Sequence, residues 1–495
     1  MDCAAVGLGG EKVVSEQPMQ AAGDIHCIQA MVPMRDGVKL NTFVYLPRQA
    51  GPRWPVILQR TPYGITSTEG KANAELERLW LWVARNIPGL SGSHRAAVMR
   101  RFGITAAALE RIALAASARC ARLEAASRTD PPFVGSEDWM HLPLLNYPDF
   151  ATWQPFLDEI LSHPAPDAFR ARHDFRRTIS IPGFHATTWY DIFQTSVIGA
   201  FHDIRARVGN QLLWIGPNHH YFIYESNFWP RDPYFEWFDH WLKDEPNAIM
   251  DAGRVYYSPR AWIEDTSAYV ADDWRYAEHW PPRDVTPRRY YLCGDGNLSA
   301  EGSGGGPRSY RYDPRFPIPT LGGRNMLIDA GPRDQRPARA LENYGLVYRS
   351  APLETDTTIA GEVIVTLHVE SDCPDTDFVA KLIEVGADGR ALLLMDGVAR
   401  AMFRDRESGS AQPMVPGDTV RLVISLAHIH HTIRAGHRIE VDIMSSNFPR
   451  RARNTNSGHP LLAGDTAADM RVARNVVHHG VTTPSYIDLP CRPLT

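Results

Sequence analysis

Cysteine is scarce and unpatterned. The 495 residues contain six (Cys3, Cys27, Cys120, Cys293, Cys373 and Cys491), none in a CxxC spacing. Neither a zinc site nor a disulfide framework has support, and free thiols in a cytoplasmic protein are the simpler expectation. No apolar run approaches the ~18 residues of a membrane span, so no membrane partner is expected. No basic run supplies the footprint that nucleic acid needs, and the formal net charge is −5. The opening MDCAAVGLGGEKVVSEQ lacks a basic stretch followed by an apolar core, so no secretory leader is expected. Residues 1–28 show no periodicity and read as a loose leader. No internal repeat is visible.

What is present is ordinary globular material, 44% hydrophobic and 22% charged, in a chain long enough for two or three domains. The most informative stretch runs from Ile179 to His220. Two apolar strand-like runs, Thr178–Pro182 and Gln211–Pro217, flank a helix-like segment. The first is expected to end in a turn carrying Trp189, Tyr190 and Asp191, the second in a turn carrying His219 and His220. A parallel sheet gathers such turns at the carboxyl edges of its strands, where ligands bind in open α/β folds. The 29 residues from Asp191 to His220 are enough for the helix and second strand of a βαβ unit. An acid after one strand and a histidine after the next is the chain order of the α/β-hydrolase charge pair.

Elsewhere, Asp36-Gly37 reads as a hairpin turn leading into a half-buried strand, with Val38, Leu40, Thr42 and Val44 alternating against polar or outward residues. Pro55–Arg60 reads as a buried strand. Residues 70 to about 127 are helical in composition, rich in Ala, Leu, Arg and Glu. Phe150 to about Leu161 is a further helical stretch. PYFEWFDHWLKDE reads as an amphipathic helix with Tyr234, Phe235, Phe238 and Trp241 on one side. From about Val255 the chain turns β-rich, with short strands separated by Gly, Pro and Asp, the pattern of a jelly-roll sandwich. Residues 295–325, rich in Gly, Ser and Pro, read as a long surface connection.

These pieces in this order resemble the cocaine esterase and X-Pro dipeptidyl-peptidase-like serine hydrolases, which include the α-amino-acid ester hydrolases. The matching text includes MRDGVKLNTFVYLP, RTPYG, HLPL, WYDIF, LLWIGPNHH, FDHWLK, DPRFPIPTLGG, DQRP, DTDFVAKLIEV, DGVAR, GHRIEVDIMSSNFPR and RNTNSG, spread from about Met31 to Arg492. The resemblance implies an α/β-hydrolase-like, partial parallel sheet at 29–69 and 142–250, a helical cap at 70–141, and a C-terminal jelly-roll β-sandwich at 251–495. It implies Asp191 as triad acid, His220 as triad base with His219 as the competing assignment, and Tyr63 as an oxyanion donor. It places Phe193, Met326 and Leu327 near an acyl pocket, although plain core packing accounts for them equally well. The implied substrate is a small ester or peptide, with no cofactor and no metal. Oligomeric state is not readable, and a homodimer stands as one outcome.

One expected feature is missing. The family carries its nucleophile in a Gly-x-Ser-Tyr-x-Gly elbow, and no such text lies between Tyr63 and Asp191. The simplest account is an internal deletion that removed central strands, the nucleophile and the start of the cap. Ser91, in Gly89-Leu90-Ser91-Gly92-Ser93, has the small neighbours an elbow requires. Yet the run before it is helical in character, and Pro88 sits where a strand should feed the turn. Ser136 lacks the flanking glycine. Two readings follow: a hydrolase acting by acyl transfer on ester or amide bonds, or a catalytically inactive, internally deleted homologue serving as a binding or scaffold protein. A third, a metal site built on His428, His430 and His431, lacks an acidic ligand in the neighbouring sequence.

Overall fold

A computed structural model describes residues 25–33, 39–47, 140–145, 154–172, 174–220, 233–251, 253–264, 274–302, 304–325, 328–405 and 410–493, with backbone alone for 25–33, 39–47 and 154–156. The chain divides into two compact units, Met1–Ser117 and Ala118–Thr495. In the first, β1 (Ile25–Pro33) and β2 (Lys39–Pro47) form an antiparallel hairpin with Ile25 opposite Pro47 and Pro33 opposite Lys39. The strand read in this stretch is present as β2, and the Asp36-Gly37 turn lies outside the described residues. The Pro55–Arg60 run and nearly all of the helical cap segment lie outside the described residues.

The second unit opens with helices Gln154–Leu161 and Ala168–Arg172. A βαβ unit follows: β3 (Gly183–Tyr190), helix Gln194–Val208, and β4 (Gln211–His219). After helix Pro233–Lys243 come β5 (Val255–Tyr257) and β6 (Arg275–Ala277). The sheet order is β3-β4-β5-β6, parallel except for β6. β4 is buried on both faces, as a strand of a covered parallel sheet should be. Its alternation sends Leu213 and Ile215 into a core with Trp189, Ile198 and Phe201, and Leu212 and Trp214 into another with Trp237, Ile249, Tyr256 and Trp274. At Gly183, where β3 starts, a Cβ would meet Gln211 Oε1 at 2.1 Å, so a larger residue there would displace that carboxamide. The crossover helix stops at Gly209, whose φ of +84° suits only glycine well.

Two expectations are corrected here. The first strand is not Thr178–Pro182 but Gly183–Tyr190. Arg176–Thr178 is a 3-10 turn, held by Arg176 on Asp174 and Asp203. Pro182 lacks a donor for the ladder, so pairing begins after it, and Trp189 and Tyr190 close the strand instead of forming the turn. In helix Pro233–Lys243 the inward residue is Trp237, flanked by Tyr234, Phe238 and Trp241, while Phe235 is 70% exposed. Positions 234, 237, 238 and 241 share a face at helical spacing, and 235 falls off it.

The β-rich region builds a sandwich. Its strands are β7 (Thr286–Leu292), β8 (Leu298–Ser299), β9 (Arg308–Tyr312), β10 (Leu346–Arg349), β11 (Thr357–Ser371), β12 (Asp377–Val385), β13 (Ala391–Arg400), β14 (Val420–Ile433), β15 (Arg438–Met444), β16 (Ala473–Val477) and β17 (Tyr486–Arg492). One sheet runs β8-β7-β17-β11-β16-β9 with β14 also paired to β11; the other runs β10-β15-β12-β13. Their inner faces share one core, in which Ile359, Val363, Val365 and Leu367 of β11 join Phe378 and Leu382 of β12 and Ile439, Val441 and Ile443 of β15. The sandwich strands start at β7, since β5 and β6 extend the parallel sheet instead. The Gly/Ser/Pro-rich stretch is more than a surface connection: it threads β8 and β9, and anchors them by Tyr310 to the Ser445 hydroxyl and Tyr312 to the Asn454 carbonyl.

Gln194 ties the crossover helix to sandwich strand β14. Its carboxamide is fully buried, donating to the carbonyls of Trp189 and His428 (both 2.7 Å) and accepting from the His428 amide at 2.9 Å. The His428 ring accepts from Trp280 Nε1 at 3.2 Å. Burial, then nearby positive charge, pushes the His428 imidazole down to about 3, so it is neutral. The other histidines of that strand serve separate partners: His430 the Pro259 carbonyl, and His431 the Glu384 carboxylate, which His437 shares. An acid therefore does sit beside His431, supplied by β12 from far along the chain. Among the described residues, no cluster of three or more His, Cys, Asp or Glu could hold a metal, and no helix is long and apolar enough to cross a membrane.

Gln194→Ala strands three buried backbone groups, so it should lower unfolding free energy by about 3 kcal/mol, read from urea denaturation midpoints; a loss under about 1 kcal/mol would show that water takes over the lock. The same region should be acid-sensitive. Unfolded, His428 takes a proton near its ordinary 6.5, whereas in the fold it does so only near 3. The stability it contributes is complete above ~6.5 and lost as pH falls towards ~3, at up to about 1.4 kcal/mol per pH unit. Urea midpoints between pH 7 and 4 should fall less steeply in His428→Gln.

Candidate active site

Because β3 and β4 are parallel, their carboxyl ends share one edge. Asp191 is the first residue past β3; His219 ends β4, and His220 is the first residue past it. Asp191 is 1% exposed and fully engaged: Oδ1 accepts from His220 Nδ1 at 2.8 Å and from the Phe193 amide at 3.0 Å, and Oδ2 accepts from the Thr187 hydroxyl at 3.0 Å. Three donors on one buried carboxylate hold it in a single orientation. An ionised carboxylate can only accept, so the imidazole proton sits on Nδ1 and the basic lone pair on Nε2. The His220 side chain is 14% exposed. An imidazole so held can take and return a proton at Nε2.

Of the two adjacent histidines, His220 meets the acid. His219 is half-buried, with its ring 6.2 Å from Trp262. Burial first, then His220, lowers its pKa, keeping it neutral. The Phe193 ring stands edge-on to His220 at 5.3 Å, and both it and Ile192 are exposed at this rim. Of the residues singled out by sequence, Asp191, His220 and Phe193 thus come together. Tyr63, Ser91, Met326 and Leu327 lie outside the described residues. Ser258 occupies the matching position past β5, but it is fully buried with its hydroxyl donating to the Arg260 carbonyl at 3.0 Å, a turn-capping arrangement.

Sequence reading missed two residues here. Asn218 has φ +62° and is 3% exposed. Its amide clasps Ile263 from both sides, and its backbone N–H donates to the Ala261 carbonyl. The available signal was an asparagine wedged between Pro217 and two histidines, since asparagine tolerates positive φ better than most residues. The second is Arg324, 7% exposed, which donates to the Thr195 hydroxyl at 3.0 Å, four residues past Asp191. Burial, then Arg450, lowers its pKa to about 10, so it stays charged at neutral pH. Beside it, Asp396 is pushed up by burial, but Arg450 and Arg324 outweigh this and hold it at about 2. No sequence signal marks Arg324, because its role depends on burial.

Comparison with known proteins follows the same lines. The family described as the X-Pro dipeptidyl-peptidase C-terminal non-catalytic domain matches residues 240–488, and the X-Pro dipeptidyl-peptidase (S15 family) matches residues 36–94. The chain is similar to a cocaine esterase of Rhodococcus sp. (strain MB1 Bresler), 27% identical over 577 aligned positions that cover 93% of this chain and 97% of that one. The solved structure of an aminopeptidase from the marine sediment archaeon Thaumarchaeota archaeon superposes with TM-score 0.65 at 18% identity, covering 98% of this chain and 99% of that one. An α-amino-acid ester hydrolase structure does so with TM-score 0.65 at 18% identity, covering 99% and 100%. At these identities the two structures speak for the fold alone. The 577 aligned positions exceed this chain's 495 residues by 82, so at least that many positions of the esterase face a gap here.

Proposed function

The chain belongs to the cocaine esterase and X-Pro dipeptidyl-peptidase-like family of serine hydrolases, and from that premise we propose that Asp191 and His220 are the acid and base of an acyl-transfer site acting on ester or amide bonds. The carrying observation is the 2.8 Å bond from His220 Nδ1 to a carboxylate buried to 1% exposure. In this reading His220 Nε2 removes the proton of a serine hydroxyl as the oxygen attacks the substrate carbonyl. The imidazolium, stabilised by Asp191, then gives the proton to the departing alkoxide or amine. Water repeats the sequence on the acyl-enzyme and frees the acid. Tyr63 is the proposed oxyanion donor, and an aimed donor of this kind contributes roughly 3–4 kcal/mol of barrier lowering. Ser91, with small neighbours two before and two after, is the proposed nucleophile of the reading. Ile192 and Phe193 at the rim, with Met326 and Leu327, favour a small substrate with an apolar acyl group.

A second reading has its own support. The 82 or more unmatched positions of the esterase, together with the missing Gly-x-Ser-Tyr-x-Gly text, fit a family member that lost its nucleophile and keeps the fold as a binding protein.

A fluorophosphonate probe separates the two. The hydrolase reading expects one labelled serine in the native protein, and p-nitrophenyl ester turnover reduced by on the order of 10³-fold or more in His220→Ala. No labelling, with turnover unchanged by His220→Ala, would establish the non-catalytic reading. In the active case, Phe193→Ala should raise KM about tenfold for an aromatic acyl ester and leave the acetate ester nearly unchanged.

A further inference from the structure

We infer that Asn218 is a positioning residue that selects which of two adjacent histidines meets Asp191. The β3–β4 ladder is regular from Gly183 opposite Gln211 to Thr188 opposite Gly216, and then breaks. Continued, it would set Tyr190 opposite Asn218; instead Tyr190 lies opposite His219. One extra residue has entered β4 between Gly216 and His219, and within it Asn218 alone among non-glycine residues of the strand has positive φ, +62°. That is a bulge, and a one-residue slip exchanges the faces of everything beyond it. Without it His219 would take the level that His220 now holds, and His220 would be carried off the acid.

The bulge is held in place. Asn218 N–H donates to the Ala261 carbonyl at 3.0 Å, its Nδ2 to the Ile263 carbonyl at 3.0 Å, and its Oδ1 accepts from the Ile263 amide at 2.7 Å. The segment past β5 thus grips the bulge from outside the ladder. Asparagine meets both demands at once: it tolerates the left-handed backbone, and its amide imitates a strand partner. A β-branched residue meets neither.

The inference concerns the proposed base and so rests on that reading for its catalytic meaning, but its test does not need turnover. In the full-length protein, the Nδ1 proton bound to Asp191 should give a downfield imidazole resonance, lost in Asp191→Asn and in His220→Gln and retained in His219→Gln. In Asn218→Val, His220→Gln should no longer decide it: the resonance should be absent, or should depend on His219. Asn218→Gly, which keeps the backbone and loses the amide, should retain dependence on His220 with about tenfold faster solvent exchange. Asn218→Val folded, with a resonance still dependent on His220 and exchanging at the native rate, would overturn the inference. If Asn218→Val does not fold, Asn218→Gly decides: unchanged exchange overturns it, faster exchange upholds it. Fluorophosphonate labelling reports separately on the hydrolase reading, so either can fail alone.

Discussion

The parallel pairing of β3 with β4, carried one residue out of step at its end, is the constraint from which the site follows. Parallel strands deliver their carboxyl ends to a common edge, so residues 29 positions apart in sequence become neighbours. Burial supports the pairing. Leu212 to Ile215 are almost wholly buried, and their alternation divides them between two separate cores. A carboxylate buried at that edge must be hydrogen-bonded, and Asp191 gathers its three donors from the strand, the turn and the facing histidine. The pair is thus a consequence of sheet geometry as much as of its own chemistry.

The sandwich supports this edge from behind. Gln194, Trp280 and His428 form a neutral hydrogen-bonded seam between the crossover helix and β14. Arg324 and Arg450 face Asp396 in a second, charged seam that reaches the helix bearing Thr195. The two seams differ in kind. The first depends on an imidazole staying uncharged, the second on a carboxylate staying charged, and acid weakens both. In this chain the helix that follows Asp191 is thus hydrogen-bonded to β14, which lies in the stretch matched by the domain described as non-catalytic.

Much of this was legible in the chain. The apolar run of β4 and the acid and histidine at strand ends were visible as text, because strand burial and strand-end chemistry are local properties. The hairpin strand β2 and the strand spacing of the sandwich were visible for the same reason. The errors were also local. Apolar Ile179 and Ile181 suggested a strand that Pro182 and the Arg176 ion pairs prevent, and glycine-rich text hid β8 and β9, whose places are fixed by partners in β7 and β16.

The sequence by itself determined the membership of the family, the broad succession from α/β sheet to β-sandwich, and the candidate acid with two candidate bases. It could not choose between His219 and His220 by physical argument, because adjacent residues on a strand differ only in the face they take. That choice was made by a bulge whose tether lies 43 to 45 residues further on, at Ala261 and Ile263. Nor could it show which charges are buried: Arg324, Asp396 and His428 look like surface residues until packing removes their water. Local pattern sets what each segment can do, and only long-range contact decides which groups lose solvent and which way they face.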